Sequence, residues 1–132
     1  MSWTPFIDGQ FVQPSGGLVQ KALIMGRDGT IWGLTDGWNV TAQEARTVAG
    51  QAANPSTVPS TGITLGGAKY MGLVADEESF QGFSSSTKKG VCGVTLKTCV
   101  IVVLFGEPHK NPNVFSYMKR VVDQLVENRY LQ

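Results

Sequence analysis

The sequence predicts an α+β fold, one antiparallel sheet covered by helices, from three observations. The chain has 132 residues, 42% of them apolar and 16% charged, which suits a single domain with a single core. Strand-like runs in its middle are separated by connections of hairpin length. Apolar stripes at helical spacing stand at its two ends. Sixteen glycines fit many turns better than a helical bundle. No repeat or second composition regime interrupts the chain, so residues 1–132 read as one domain.

The first element is a helix. Ser2 can cap it, Pro5 is tolerated in a first turn, and Trp3, Phe6, Ile7 and Phe11 recur at helical spacing. Pro14 to Gly17 ends it. Leu18 to Met25 reads as a strand, Arg27-Asp28-Gly29 as a turn, and Thr30 to Leu34 as the returning strand. Thr41-Ala42-Gln43-Glu44 is a capping box, with hydroxyl and carboxylate each reaching the other residue's N–H. It opens a helix from Ala42 to about Ala52 with Ala45, Val48, Ala49 and Ala52 inward, closed by Asn54-Pro55. Residues 55 to 61 form a linker. Gly62 to Leu65 and Ala68 to Asp76 flank a Gly66-Gly67 turn, and Ser79 to Ser84, Gly90 to Thr95 and Thr98 to Phe105 follow as strands. Cys99 to Phe105 is apolar at seven successive positions, which predicts a central strand covered on both faces. The chain closes with a helix capped by Asn111, with Pro112 in its first turn and Val114, Met118, Val121, Val122 and Leu125 as its inner stripe.

Catalytic chemistry finds little support. The single histidine, His109, and two cysteines seven positions apart do not match zinc-ligand spacing, so no metal or other cofactor is expected. Neither a Walker loop nor a dinucleotide fingerprint is present. A thiol nucleophile would need Cys92 or Cys99 beside His109 on a concave surface with a third, orienting group, and no such group is evident. With Leu96-Lys97 as a two-residue loop, the cysteines become diagonal neighbours, about 7–8 Å apart at Cα and too far for an easy disulfide. They read as reduced core thiols, and with no leader or spanning segment visible the expectation is a cytoplasmic protein.

Charge is more informative in its distribution than in its sum. Net charge is +1, which argues against a nucleic-acid partner. From Lys88 to Arg120, however, six cations stand against one acid, Glu107, leaving +5 there and −4 elsewhere. Such a segment suits an acidic protein face or anionic lipid, or is simply solvated surface. Aromatics give a second lead. Trp3, Phe6, Trp32 and Tyr130 could line a groove for a polyproline II ligand if the terminal helices lie side by side, or they could close a small core.

Several segments, in order and at matching spacing, carry a resemblance. They are Met1-Ser2-Trp3, Lys21-Ala22-Leu23-Ile24, Trp32, Asn54-Pro55, Gly62 through Tyr70, Lys97-Thr98, and Val122-Asp123-Gln124-Leu125. Through them the whole chain resembles the profilin family. The resemblance implies a central antiparallel sheet with the N- and C-terminal helices packed on one face and smaller helices on the other. It also implies a non-catalytic cytoskeletal protein that binds monomeric actin, proline-rich segments of formin-like proteins, and phosphoinositides.

Carried over by position, Trp3 and Trp32 match the family's proline-stacking tryptophans, Phe6 stands where tyrosine is usual, Asn128 occupies a position that is often aromatic, and Tyr130 is assigned to the groove although offset from the usual terminal aromatic. The actin-face positions are Lys69, Lys88, Lys89, Lys97, His109, Lys110, Asn113, Tyr117 and Arg120. Val74 and Phe83 replace two arginines usual in the family.

Overall fold

The computed structural model describes residues 4–15, 18–35, 37–54, 58, 62–76, 78–85, 87–106 and 111–127. Helix α1 (Thr4–Ile7) widens into a π-helical turn (Asp8–Val12) and tightens into a 3-10 turn (Gln13–Ser15). Strands β1 (Lys21–Gly26) and β2 (Ile31–Leu34) precede α2 (Ala42–Ala53). Then come β3 (Ile63–Leu65), β4 (Ala68–Ala75), β5 (Ser79–Ser84), β6 (Lys89–Thr95), β7 (Cys99–Gly106) and α3 (Asn111–Glu127). The described strands make one sheet in the order β2-β1-β7-β6-β5-β4-β3, with every neighbouring pair antiparallel.

Strand β7 lies between β1 and β6 and is buried at every position, as its unbroken apolar run requires. The capping box forms: the Thr41 hydroxyl accepts from the Glu44 N–H at 3.1 Å, and the Glu44 carboxylate accepts from the Thr41 N–H at 3.0 Å. That carboxylate also accepts from the Gly66 and Gly67 N–H groups, each at 3.0 Å, so one side chain starts α2 and pins the β3–β4 hairpin to it. The hairpin turn has φ of +61° and +79° at Gly66 and Gly67, the left-handed pair that a two-residue loop demands.

The sheet carries an apolar cluster on each face. On one, Ile7 and Phe11 from the N-terminal segment and Val114, Met118, Val122 and Leu125 from α3 cover Cys92, Ile101, Val103 and Phe105. On the other, Ala45, Val48, Ala49 and Ala52 of α2 pack with Trp38, Tyr70 and Phe80. Among the described residues no helix is long and apolar enough to cross a membrane.

The structure corrects the sequence reading at three points. The β6–β7 turn is Lys97-Thr98, closed by Leu96 N–H to Cys99 C=O at 2.8 Å, not Leu96-Lys97. Burial decides this: Leu96 packs against the terminal-helix cluster, and the exposed pair is left for the corner. Cys92 therefore faces Val103, four positions from Cys99, roughly 13 Å along the strand rather than diagonal to it. Both cysteines remain buried and outside any disulfide. Strand β1 begins at Lys21 rather than Leu18, although Gln20 N–H already bonds Leu104 C=O at 2.7 Å. Helix α3 already includes Asn111, the expected cap. Of the expected linker, only Val58, buried and helical, lies within the described residues.

Candidate functional site

The edge where α1 meets β2 is assembled by hydrogen bonds between residues far apart in sequence. The Thr4 hydroxyl accepts from the Leu34 N–H at 3.0 Å and lies 3.2 Å from the Leu34 carbonyl, to which it donates. A threonine side chain thus occupies backbone groups of an edge strand that would otherwise invite another chain. The Asp8 carboxylate accepts from the Thr35 hydroxyl, which accepts from the Ala22 N–H at 3.0 Å. These contacts seat the N-terminal segment on β1 and β2.

Phe6 and Trp32 both lie on the terminal-helix face, each half-buried and packed against its cluster. Trp32 owes its placement to a β-bulge: Ile24 faces Gly33 and Met25 faces Ile31, so Trp32 is the extra residue. A bulge re-aims its side chain relative to the regular alternation. The indole lies along Gly26, where an added Cβ would come within 3.3 Å of Nε1. Trp3 and Tyr130, the other two expected groove residues, lie outside the described residues.

Helix α3 is tied to the N-terminal segment by Tyr117. Its hydroxyl donates to the Phe11 carbonyl at 3.0 Å, with the Gln10 carbonyl at 3.4 Å. Both acceptors lie in the π-helical turn, whose altered hydrogen bonding leaves carbonyls for outside donors. Burial pushes the Tyr117 phenol up, partly offset by the Arg120 guanidinium, which sits 6.0 Å from the ring centroid. Asn113, Tyr117 and Arg120 recur at i, i+4 and i+7 and so form one stripe on α3. Of that stripe, Tyr117 reaches the N-terminal segment, and Asn113 and Arg120 are exposed.

The terminal helices leave part of their own sheet face bare. Register places Met71 opposite Phe83 and Gln81 opposite Cys92, all on the terminal-helix side. Yet Met71 is 64% exposed, Phe83 and Gln81 are half-buried, and Lys69, two residues before Met71, is exposed. This strip ends at the β5–β6 turn, where Lys88 adopts a left-handed φ of +60° and its N–H bonds the Ser84 carbonyl at 2.9 Å. Lys88 thus joins Lys69 at one end of the sheet.

Two other lysines are placed elsewhere. Lys89 alternates with Val91 and so belongs to the α2 face. Lys97 lies past the far end of β6, six residue steps from Lys89 to Thr95 or about 20 Å away. His109 and Lys110 lie outside the described residues.

Catalytic options are narrow in the described part. Burial pushes the Cys92 thiol up to about 12, and the Cys99 thiol is raised mainly by burial as well. Neither supplies the thiolate a nucleophile needs. No group of three or more His, Cys, Asp or Glu side chains that could hold a metal is found among the described residues.

Sequence reasoning missed Thr4, Asp8 and Thr35 as positioning residues. No local signal marks them, because their partners lie 27 to 30 residues away.

Comparison with known proteins gives a consistent answer. The family model named Profilin matches residues 1–130. A profilin of Naegleria pringsheimi is 71% identical over 132 residues, covering all of both chains. The structure of a Schizosaccharomyces pombe profilin, 28% identical, superposes with a TM-score of 0.85 over 96% of this chain and 98% of that one. LokiProfilin1 in complex with rabbit actin shares the fold at 18% identity, with a TM-score of 0.75 over 96% of this chain and 98% of that one.

Proposed function

The chain belongs to the profilin family, and from that premise we propose that it binds monomeric actin and regulates its polymerisation, acting as a non-catalytic adaptor at the cytoplasmic cytoskeleton. The observation that carries the actin reading is the uncovered strip on β4 and β5. There, exposed Met71 and half-buried Phe83 lie beside Lys69 and Lys88, an apolar patch with cations at one end. An apolar patch supplies affinity, and cations beside it steer an acidic partner such as actin. Asn113, Tyr117, Arg120, His109, Lys110, Lys89 and Lys97 remain part of the proposed actin set, with Lys69, Lys88 and Met71 as its core.

A second face engages proline-rich segments, such as those of formin-like proteins, through Trp3, Phe6, Trp32 and Tyr130. Its support is that α1 packs on β2 and that Phe6 of α1 and Trp32 of β2 both border the terminal-helix cluster, half-buried. Phe6 brings a ring without the hydroxyl donor of a tyrosine, a difference of roughly 0.5–1.5 kcal/mol if that donor would bond a ligand carbonyl. Holding actin on one face and a proline-rich tether on another raises the local actin concentration near a nucleator. The exposed Lys69 and Lys88 also favour anionic phosphoinositides, in competition with actin and weakened by salt.

One titration tests both faces. Intrinsic tryptophan fluorescence is followed as poly-L-proline is added, with and without saturating actin. A saturable change that persists with actin bound is expected. Met71→Asp should weaken actin at least about tenfold, ~1.4 kcal/mol, and leave poly-L-proline binding intact. Trp32→Ala should do the reverse. Met71→Asp with unchanged actin affinity would remove the strip from the actin face.

A further inference from the structure

We propose that Met71 is a site of reversible oxidation: a hydroperoxide converts its thioether to the sulfoxide, and the sulfoxide weakens the hold of the β4–β5 strip on actin. The site stands on exposure alone, and its consequence rests on the actin reading above.

Reaction of sulfur with a peroxide follows its access to solvent. The sulfur-bearing side chains among the described residues are Met25, Met71, Cys92, Cys99 and Met118. Met71 is 64% exposed, and the other four have no exposed surface. Met25 is enclosed in the α2 cluster and Met118 in the terminal-helix cluster, so a peroxide reaches neither without opening the core. The cysteines do not compete. A cysteine reacts as its thiolate, and burial, which pushes Cys92 up to about 12 and raises Cys99, suppresses that form.

The fold holds the Met71 sulfur in the open. Met71 stands in the body of β4, with Phe83 of β5 as its register partner, on the part of the sheet that the terminal helices leave bare. Its exposure therefore belongs to a paired strand rather than to a loop.

The step needs only the peroxide. A sulfur lone pair attacks one peroxide oxygen, the S–O bond forms as the O–O bond breaks, and the departing hydroxide takes the remaining proton and leaves as water. The sulfur is oxidised and the peroxide reduced by the same electron pair. In the return step, catalysed by methionine sulfoxide reductases, a pair of thiols becomes a disulfide and the oxygen leaves as water.

The consequence differs between the free chain and the complex. In the free chain the new oxygen stays in water, so the fold is little affected. Against a partner, the strip contributes by removing apolar surface from water. A sulfoxide oxygen buried there gives up its hydration. Oxidation thus acts on the complex and spares the fold.

The test treats the full-length chain with dilute hydrogen peroxide and removes the peroxide before actin is added. Peptide mass mapping should find oxygen gained at Met71 at least about tenfold faster than at Met25 or Met118. The oxidised chain should melt at the same temperature yet bind monomeric actin at least about fivefold more weakly by calorimetric titration. Sulfoxide reductases of both epimer specificities, supplied with a dithiol, should restore binding. Met71→Leu, whatever its own affinity, should bind actin equally before and after peroxide. That control also removes any contribution from Met1, which lies outside the described residues.

Oxidation of Met25 or Met118 as fast as Met71 overturns the site. A sulfoxide that binds actin normally, where Met71→Asp does not, overturns the switch and leaves the actin reading standing. Normal binding by both overturns the switch together with that reading, and the peptide map still decides the site. A peroxide effect that persists in Met71→Leu also overturns the switch, because it assigns the loss to another residue.

Discussion

The two faces of the sheet solve the same burial problem by opposite means. On the terminal-helix face the helices bring the bulk: Met118, Val122 and Leu125 reach down onto strands that present Cys92, Val94 and Val103. On the α2 face the helix brings mostly alanines, and the bulk comes from Trp38, Tyr70 and Phe80 on loop and strands. A helix with small side chains can approach the sheet closely, but the strands must then make room for their own large rings. Gly93 does this for Phe80, whose ring lies where a Gly93 side chain would stand. One face therefore depends on the side chains it has, and the other also on a side chain it lacks.

Truncating a helix side chain on the first face should have the largest effect. Met118 is fully buried, and Met118→Ala is expected to cost about 2–5 kcal/mol, read from the urea midpoint at unchanged slope. A loss under about 1 kcal/mol would mean that α3 collapses onto the sheet and that the contrast between faces is weaker than drawn.

Next comes Gly93→Ala, which adds a methyl group where the Phe80 ring lies and should cost about 1–3 kcal/mol on the α2 face. A neutral result would show that Phe80 can move aside, and that the missing side chain is not a packing requirement.

Glu44→Ala should cost about 1–2 kcal/mol and exceed Thr41→Ala, because the threonine serves only the start of α2. The glutamate also holds the Gly66 and Gly67 N–H groups. Equal losses in parallel thermal melts would leave the hairpin tether without energetic weight.

The last effect is confined to alkaline pH and is absent near neutrality. Burial raises the Cys92 thiol from an ordinary 9.0 to about 12, so the folded chain keeps a proton that the unfolded chain gives up. Its contribution is fully present below pH 9 and is lost progressively as pH rises toward 12. Cys92→Val, close in volume but without a titrating proton, should flatten this part of the stability–pH curve while leaving stability at pH 7 nearly unchanged. Identical slopes for the two proteins would assign the alkaline loss to other groups.

Much of the fold was legible because it is written in short-range chemistry. The Thr41–Glu44 box, the Gly66-Gly67 turn and the seven-residue apolar run each state their structure within a few positions, and each forms where the spacing places it. The inward residues of α2 and four of the five stripe residues of α3 are buried, with Val121 partly so. The last hairpin was misread by one position because Leu96-Lys97 and Lys97-Thr98 serve equally well as loops. Only burial of Leu96 separates them.

The candidate sites were legible as residue types but not as groupings. The Lys88 to Arg120 segment reads as one basic patch along the chain. In three dimensions strand alternation turns Lys89 to the α2 face, strand length carries Lys97 to the far end, and Tyr117 turns toward the N-terminal segment. Lys69 and Met71, outside that segment, are brought to Lys88 only by the β4–β5 register.

By itself the sequence determined the elements, their order and their buried sides, because caps, turns and periodicities act over a few residues. It also carried the family, through segments spread along the whole chain. Tertiary structure alone decided which side chains share a surface. Thr4 reaches Leu34 across 30 positions and Tyr117 reaches Phe11 across 106. A single bulged residue sets the aim of Trp32. Such pairings depend on strand register, where a shift of one residue exchanges the two faces of the sheet, and no local pattern encodes that choice.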